Sequence, residues 1–160
     1  MSTLRASPLV FVLWGEYFDE AATILFVTTL RSLGVRVKIV GLHGACVKGE
    51  HGVKLLADIT LDEALEQAAQ VVGVIVPSVT SEQPWWCNDP RLLRLVEILQ
   101  QKKARWIITA HTPPLSIHVL PDDSSLVEWH TYSGLVPLAT FVEAVSDSWR
   151  THLSLISTNK

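Results

Sequence analysis

Short apolar runs alternate with longer segments of helical period along most of the chain. Residues 9–14 and 71–76 are continuously apolar, which is typical of strands buried on both faces. Residues 35–40 alternate apolar and polar positions, which predicts a strand nearer the edge of a sheet. Residues 105–109 form a further short run rich in β-formers. The pattern therefore predicts four strands in this part of the chain.

Helices are predicted between these strands. The segment from Asp19 to Leu33 has helical period and is followed by Gly34, a residue type that commonly terminates helices. Thr60 and Glu63 have the spacing of a capping box, in which a hydroxyl and a carboxylate each bind a backbone amide of the first turn. A second helix is therefore predicted to run from this box to about Gln70.

Two more helices follow from a capping signal and from apolar spacing. The third begins at Asn88-Asp89-Pro90, which offers a capping side chain and then a proline in the first turn. The last is predicted from Pro137 to about Trp149. Apolar residues at helical spacing define one packing face on each: Leu92, Leu95, Val96 and Leu99 on the third helix, and Leu138, Phe141, Val142 and Val145 on the last.

The pattern changes after residue 112. Pro113 and Pro114 prevent an immediate helix, and the segments Leu115–Leu120 and Leu126–Tyr132 have strand character. The residues between them, Pro121–Ser125, are typical of a turn. The sequence therefore predicts a small antiparallel excursion in the C-terminal third.

Strands that alternate with helices indicate an α/β class with a mostly parallel sheet covered by helices. We expect a flavodoxin-like three-layer sandwich. The 160 residues fit one domain, since domains commonly have roughly 100–200 residues. We assign residues 1–160 to this domain, with a core over about 8–150 and a loosely held tail over 151–160.

Composition and charge exclude several classes of function. The net charge is −3 with acids and bases interspersed, which argues against binding to nucleic acid or to an anionic membrane. The apolar run 9–14 is far shorter than the roughly 20 residues needed to cross a bilayer. Cys46 and Cys87 form no CxxC pair, and the histidines form no HxxxH or HxH cluster. We therefore expect a cytoplasmic protein without a metal site or a cofactor.

Several segments, taken in order, resemble the ThiJ/PfpI family of the class I glutamine amidotransferase-like superfamily. The resemblance rests on a first strand with an acidic turn and on the segments 33–37 (LGVRV), 51–54 (HGVK) and 57–63 (ADITLDE). It extends from about Leu9 to Pro113. The family is expected to share the α/β fold inferred above and commonly forms dimers.

The residues that carry the family's chemistry are absent from the matching positions. The resemblance places the nucleophilic cysteine at Ala110 and its partner glutamate at Ala22. It places the two glycines of the oxyanion-hole turn at Ser78 and Val79. Because covalent catalysis needs an activated nucleophile, the resemblance implies a member that has lost the cysteine chemistry.

Ligands of open α/β sheets bind beyond the carboxyl ends of the strands. Three loops are expected to meet there, and their candidate crevice residues are Glu16, Tyr17, Ser78, His111 and Thr112. Trp85 and Trp86 are interface candidates, because two adjacent large rings are hard to bury together and tryptophan is enriched at interfaces.

The function predicted from these observations is a non-catalytic binding, scaffolding or regulatory domain that forms a homodimer. Its partner would be a protein or a small molecule. An alternative is an enzyme with altered chemistry, such as a lyase, hydratase or amidase-like activity, that uses Glu16 and His111. A second alternative is a thiol-based stress sensor that works through Cys46 or Cys87.

Overall fold

The computed structural model describes residues 8–16, 18–77, 88–110, 121 and 123–158, with side chains described as far as residue 151. The strands are β1 Leu9–Trp14, β2 Arg36–Gly41, β3 Cys46–Lys48, β4 Lys54–Leu56, β5 Ile59–Thr60, β6 Val71–Val76, β7 Arg105–Ala110 and β8 Val127–Thr131. The α-helices are α1 Glu20–Ser32, α2 Leu61–Gln67, α3 Pro90–Gln101 and α4 Leu138–Thr158. Short 3₁₀ helices span Ala68–Gln70 and Ser124–Leu126.

The main sheet has six strands in the order β5-β2-β1-β6-β7-β8, and every neighbouring pair within it is parallel. The continuously apolar strands β1 and β6 lie at its centre, as their pattern predicts. The alternating strand β2 lies between β1 and the short edge strand β5. The predicted α/β fold with a mostly parallel sheet is therefore confirmed.

Side chains of successive strand residues point to opposite faces of the sheet and form two hydrophobic cores. On one face, Phe11 and Leu13 of β1 join a cluster with residues of α2 and α3. On the other face, Val10 and Val12 join a cluster with residues of α1 and α4. The chain thus forms three layers, with helices on both faces of the sheet.

The helix starts follow the sequence signals closely. Asp19 caps α1 by accepting a hydrogen bond from the N–H of Ala22 at 3.0 Å. Thr60 and Glu63 form the predicted capping box of α2. Asp89 caps α3, whose first residue is Pro90. All four residues of the predicted apolar face of α3 are buried.

The C-terminal third departs from its prediction in one respect, the end of the last helix. A small antiparallel pair is present at β3 and β4, and β8 runs parallel to β7. The antiparallel partner predicted for β8, residues 115–120, lies outside the described part of the chain. Helix α4 continues to Thr158, so residues 151–158, which were predicted to form a tail, belong to this helix. The apolar period continues beyond Trp149 at Leu153 and Ile156, which is a signal that the predicted boundary missed.

Candidate functional site at the carboxyl edge of the sheet

The carboxyl ends of the parallel strands bring residues from distant parts of the chain to one edge of the sheet. Glu16 lies just after β1, His43 after β2, and Pro77 directly after β6. Ala110 is the last residue of β7 and is buried. Its carbonyl accepts a hydrogen bond from the N–H of Tyr132 at 2.9 Å, which fixes the end of β7 against the segment after β8.

His43 is the half-buried titratable group of this edge. Burial lowers the pKa of His43 below its ordinary value, and the negative charges of Glu16 and Asp89 oppose that effect only in part. The imidazole is therefore mostly neutral at pH 7, a state in which it can accept a proton. The sequence pattern did not single out His43, although its place just beyond a predicted strand was a usable signal.

Arg91 joins the beginnings of α2 and α3 beside this edge. Its guanidinium contacts the carboxylate of Asp62 at 2.8 Å and that of Asp89 at 2.8 Å. The hydrogen bond from Arg91 holds the pKa of Asp89 below its ordinary value, and the same carboxylate raises the pKa of Arg91. Because two carboxylates already neutralise the guanidinium, Arg91 has a structural role and links the beginnings of α2 and α3.

Glu20 is a buried carboxylate at the first turn of α1, near the position where the family resemblance expects a glutamate. Its Oε1 accepts hydrogen bonds from the N–H groups of His51 at 2.8 Å and Val53 at 3.0 Å, and its Oε2 lies 2.9 Å from Nδ1 of His51. Burial alone would raise the pKa of Glu20, but the hydrogen bonds lower it below its ordinary value. The carboxylate therefore stays charged and fastens the turn between β3 and β4.

The same turn is packed tightly against the end of β1. A Cβ on Gly49 would overlap both the indole of Trp14 and the side chain of Glu20. The indole Nε1 of Trp14 donates a hydrogen bond to the carbonyl of Val47 at 3.1 Å. The β3–β4 hairpin is thus held over the beginning of α1 by packing and by hydrogen bonds.

Asp19, Glu20 and His51 could in principle hold a cation, since one possible ligand atom of each lies within 4.8 Å of the others. Two arguments favour a structural role instead. Both carboxylate oxygens of Glu20 are already engaged, and the positive end of the α1 dipole disfavours a cation. We therefore interpret these three residues as a structural cluster that holds the β3–β4 hairpin in place.

The two alanines predicted to replace the family's catalytic groups are both in the described part of the chain. Ala22 is 1% exposed and Ala110 is 2% exposed. Cys46 is an exposed free cysteine on β3. The other predicted site residues lie outside the described residues: Tyr17, Ser78, Val79, Trp85, Trp86, Cys87, His111 and Thr112. Glu16 is exposed. Its negative charge acts to raise the pKa of His43, against the effect of burial.

None of the described helices combines the length and the apolar character that crossing a membrane requires.

No protein-family model matches the sequence, and a search of the curated proteins also finds no match. Solved structures do match. A cysteine-to-alanine mutant of a DJ-1 superfamily protein from Salmonella typhimurium is 18% identical, with a TM-score of 0.67 over 90% of this chain and 91% of that chain.

Two further matches agree with this one. The DJ-1beta protein of Drosophila melanogaster is 15% identical, with a TM-score of 0.65 over 89% of this chain and 90% of that chain. The VC2308 protein is 24% identical, with a TM-score of 0.56 over 68% of this chain, and the match spans 55% of its own length. At these identities the likeness shows the fold. The resemblance noted in the sequence is thereby confirmed at the level of fold.

Proposed function

We propose that this chain, which has the fold of the DJ-1/ThiJ/PfpI superfamily, is a divergent member that has lost the cysteine chemistry. In this proposal it serves as a non-catalytic binding, scaffolding or regulatory protein of the cytoplasm and acts as a homodimer. The observation that carries the proposal is Ala110, whose buried methyl group ends β7 where the resemblance expects the nucleophile.

The surroundings of Ala110 support the same conclusion. A methyl group can neither form a covalent intermediate nor be activated by a base. The position expected for the partner glutamate, Ala22, is also a buried methyl group. The carboxylate closest to it in sequence, that of Glu20, is occupied by the turn at residues 51–53. Restoring the chemistry would therefore need more than one substitution.

The test compares the full chain with Ala110→Cys and with the double variant Ala22→Glu/Ala110→Cys. We expect no turnover of methylglyoxal by the wild type and little by Ala110→Cys. A gain confined to the double variant would support the assignment of both positions. Wild-type turnover that survives Cys46→Ser/Cys87→Ser would contradict the loss of chemistry. Appreciable turnover by Ala110→Cys alone would contradict degeneracy at several positions.

A second candidate function is an enzyme with altered chemistry at the same edge. The sequence suggested Glu16 and His111 for this role, and the observation that favours it is a largely neutral, half-buried imidazole, that of His43, near Glu16. Such an imidazole could act as a general base. In this case a lyase, hydratase or amidase activity would be lost in His43→Gln and in Glu16→Gln, and retained in Glu66→Gln on the exposed face of α2.

The third candidate is a thiol-based stress sensor, and the exposed thiol of Cys46 on β3 favours it. A peroxide-dependent change in the protein's association or binding that disappears in Cys46→Ser would support this function. An unchanged response in Cys46→Ser/Cys87→Ser would contradict it.

A further inference from the structure

The outer face of the β3–β4 hairpin carries a pair of lysines. In the register of the hairpin Lys48 lies opposite Lys54, and Cys46 lies opposite Leu56. These four residues are exposed, whereas Val47, between the first members of the two pairs, is buried. Successive side chains of a strand point to opposite faces, so the four exposed residues share the face that points away from the fold.

The hydrogen bonds of the hairpin show how closely the two lysines approach. The N–H of Gly49 donates to the carbonyl of Val53 at 2.9 Å. At the other end of the hairpin, the N–H of Ala57 donates to the carbonyl of Ala45 at 2.7 Å. Hydrogen-bonded and non-hydrogen-bonded pairs alternate along an antiparallel ladder. The lysine pair is therefore non-hydrogen-bonded, which is the type of pair whose side chains lie closest together.

No carboxylate of the described residues neutralises the lysine pair. Every ion pair formed among these residues uses an arginine or a histidine, and Glu50 in the turn forms none with either lysine. Like charges opposite each other destabilise a sheet. The hairpin is held from its inner face by Glu20 and Trp14. A local arrangement that costs stability in this way is expected where it serves a function.

Two acidic side chains lie outside the described residues, those of Glu82 and Asp122. Asp122 is bonded to Asp123, which caps the 3₁₀ helix before β8. That helix is at the amino edge of the sheet, whereas the hairpin is at the carboxyl edge. Glu82 is therefore the one acid of the undescribed residues that competes for the lysine pair, and the test includes it.

The chemistry of the outer face selects an acidic protein segment. Two neighbouring ammonium groups match two carboxylates, and such charge complementarity steers and orients a partner. Leu56, in the adjacent pair, is 73% exposed, so a ligand with an apolar side chain gains by covering it. Inorganic phosphate has no apolar group, and the net charge of −3 disfavours nucleic acid.

We propose that the outer face of the β3–β4 hairpin is a docking surface for an acidic segment of a partner protein. Lys48 and Lys54 bind two carboxylates of this segment, and Leu56 packs against an apolar side chain beside them. Docking relieves the repulsion within the lysine pair, because each ammonium gains a carboxylate. The inference rests on the binding role in the proposed function and adds the surface and the chemistry of the partner.

The test is a peptide titration of the full chain, followed by amide NMR spectra that locate the bound peptide. The probe peptide contains Glu-Glu-Ser-Leu, and its control contains Gln-Gln-Ser-Leu. We expect the acidic peptide to shift the amide signals of residues 46–56, and the control peptide to bind much more weakly. Lys48→Gln and Lys54→Gln should each raise the Kd about threefold, and the double variant about tenfold, because exposed ion pairs are individually weak.

Two controls test the identity of the surface and of its ligand. Lys102→Gln removes the same charge at the exposed end of α3 and should leave the Kd unchanged. Inorganic phosphate should not reproduce the shifts caused by the peptide. Equal shifts with phosphate would identify a simple anion site and overturn the proposal, as would equal weakening by Lys102→Gln and Lys48→Gln.

Glu82→Gln tests the competing occupant and should leave the Kd of the peptide unchanged. Tighter binding by this variant would show that the chain's own Glu82 neutralises the lysine pair, and the proposal would then be wrong. An acidic peptide that shifts no hairpin amide up to about 1 mM would overturn the docking surface alone. The proposed function fails separately, if wild-type turnover of methylglyoxal survives the loss of both cysteines.

Discussion

Nδ1 of His51 lies 2.9 Å from Oε2 of Glu20, and this contact joins the turn between β3 and β4 to the first residue of α1. The pair combines a carboxylate buried in the core with an exposed imidazole. Hydrogen bonds from the backbone of the turn to the same carboxylate reinforce it. Together with the packing of Gly49 and the Trp14–Val47 hydrogen bond, the Glu20 carboxylate therefore holds the hairpin in place.

Replacing Glu20 by alanine should destabilise the protein. The N–H groups of His51 and Val53 would lose their acceptor, and an unsatisfied polar group costs about 2 kcal/mol. Glu20→Gln should have a smaller effect, because its amide oxygen can still accept hydrogen bonds. Urea denaturation measures the free energy of unfolding, with Glu66→Ala on the exposed face of α2 as the control. Equal losses in Glu20→Ala and Glu66→Ala would show that Glu20 does not fasten the turn.

The contact should also make stability depend on pH. The hydrogen bond with Glu20 raises the pKa of His51 above its ordinary value. Stability from such a group is complete below the ordinary pKa of about 6.5 and is lost as the pH rises through the raised value. The pKa of Glu20 is lowered, so Glu20 has the opposite effect. The stability that Glu20 contributes is present above the ordinary pKa of a glutamate and is lost as the pH falls through the lowered pKa.

His51→Gln tests the alkaline part of this dependence, because glutamine can donate a hydrogen bond but does not titrate. The free energy of unfolding of the wild type should exceed that of His51→Gln most at about pH 6, and this excess should shrink toward about pH 9. The measurement is a series of urea titrations across this range. A constant difference between the two proteins would refute the assignment of the titration to His51.

Gly73→Ala should be strongly destabilising. A Cβ at this position in β6 would overlap the indole of Trp149, which is fully buried on α4. Overpacking of this kind typically costs about 1–3 kcal/mol. Gly15→Ala is the matched control, because the nearest atom to its added Cβ is Cδ1 of Leu42 at 3.4 Å. In a Trp149→Leu background the cost of Gly73→Ala should fall, and equal costs in both backgrounds would contradict the overlap.

Thr60→Ala should lower stability by about 1 kcal/mol, the usual effect of losing an N-cap side chain. The Thr60 hydroxyl and the Glu63 carboxylate form the capping box of α2, and this helix supplies buried residues to the core. Thr60→Ser, which keeps the hydroxyl, is the control and should behave like the wild type in thermal unfolding. Equal melting temperatures for Thr60→Ala and Thr60→Ser would argue that water replaces the cap.

Local signals predicted the elements more reliably than their ends. The box at Thr60 and Glu63 and the start at Asp89 and Pro90 were correct because they depend on neighbouring residues alone. The end of α4 was predicted too early because the apolar period that continues beyond Trp149 was not extended into the predicted tail. The antiparallel pair of β3 and β4 was not predicted, because strand direction depends on the partner strand, which local pattern does not specify.

The sequence by itself determined the α/β class, the central position of β1 and β6, and the presence of alanine at residues 22 and 110. These follow from the period of apolar positions and from residue identity. The tertiary structure alone decided which charges meet. Glu20 and His51 are 31 residues apart, and Arg91 and Asp62 are 29 apart. Such contacts arise only when packed strands and helices bring remote segments together, because charge interactions depend on distance in space and not on separation along the chain.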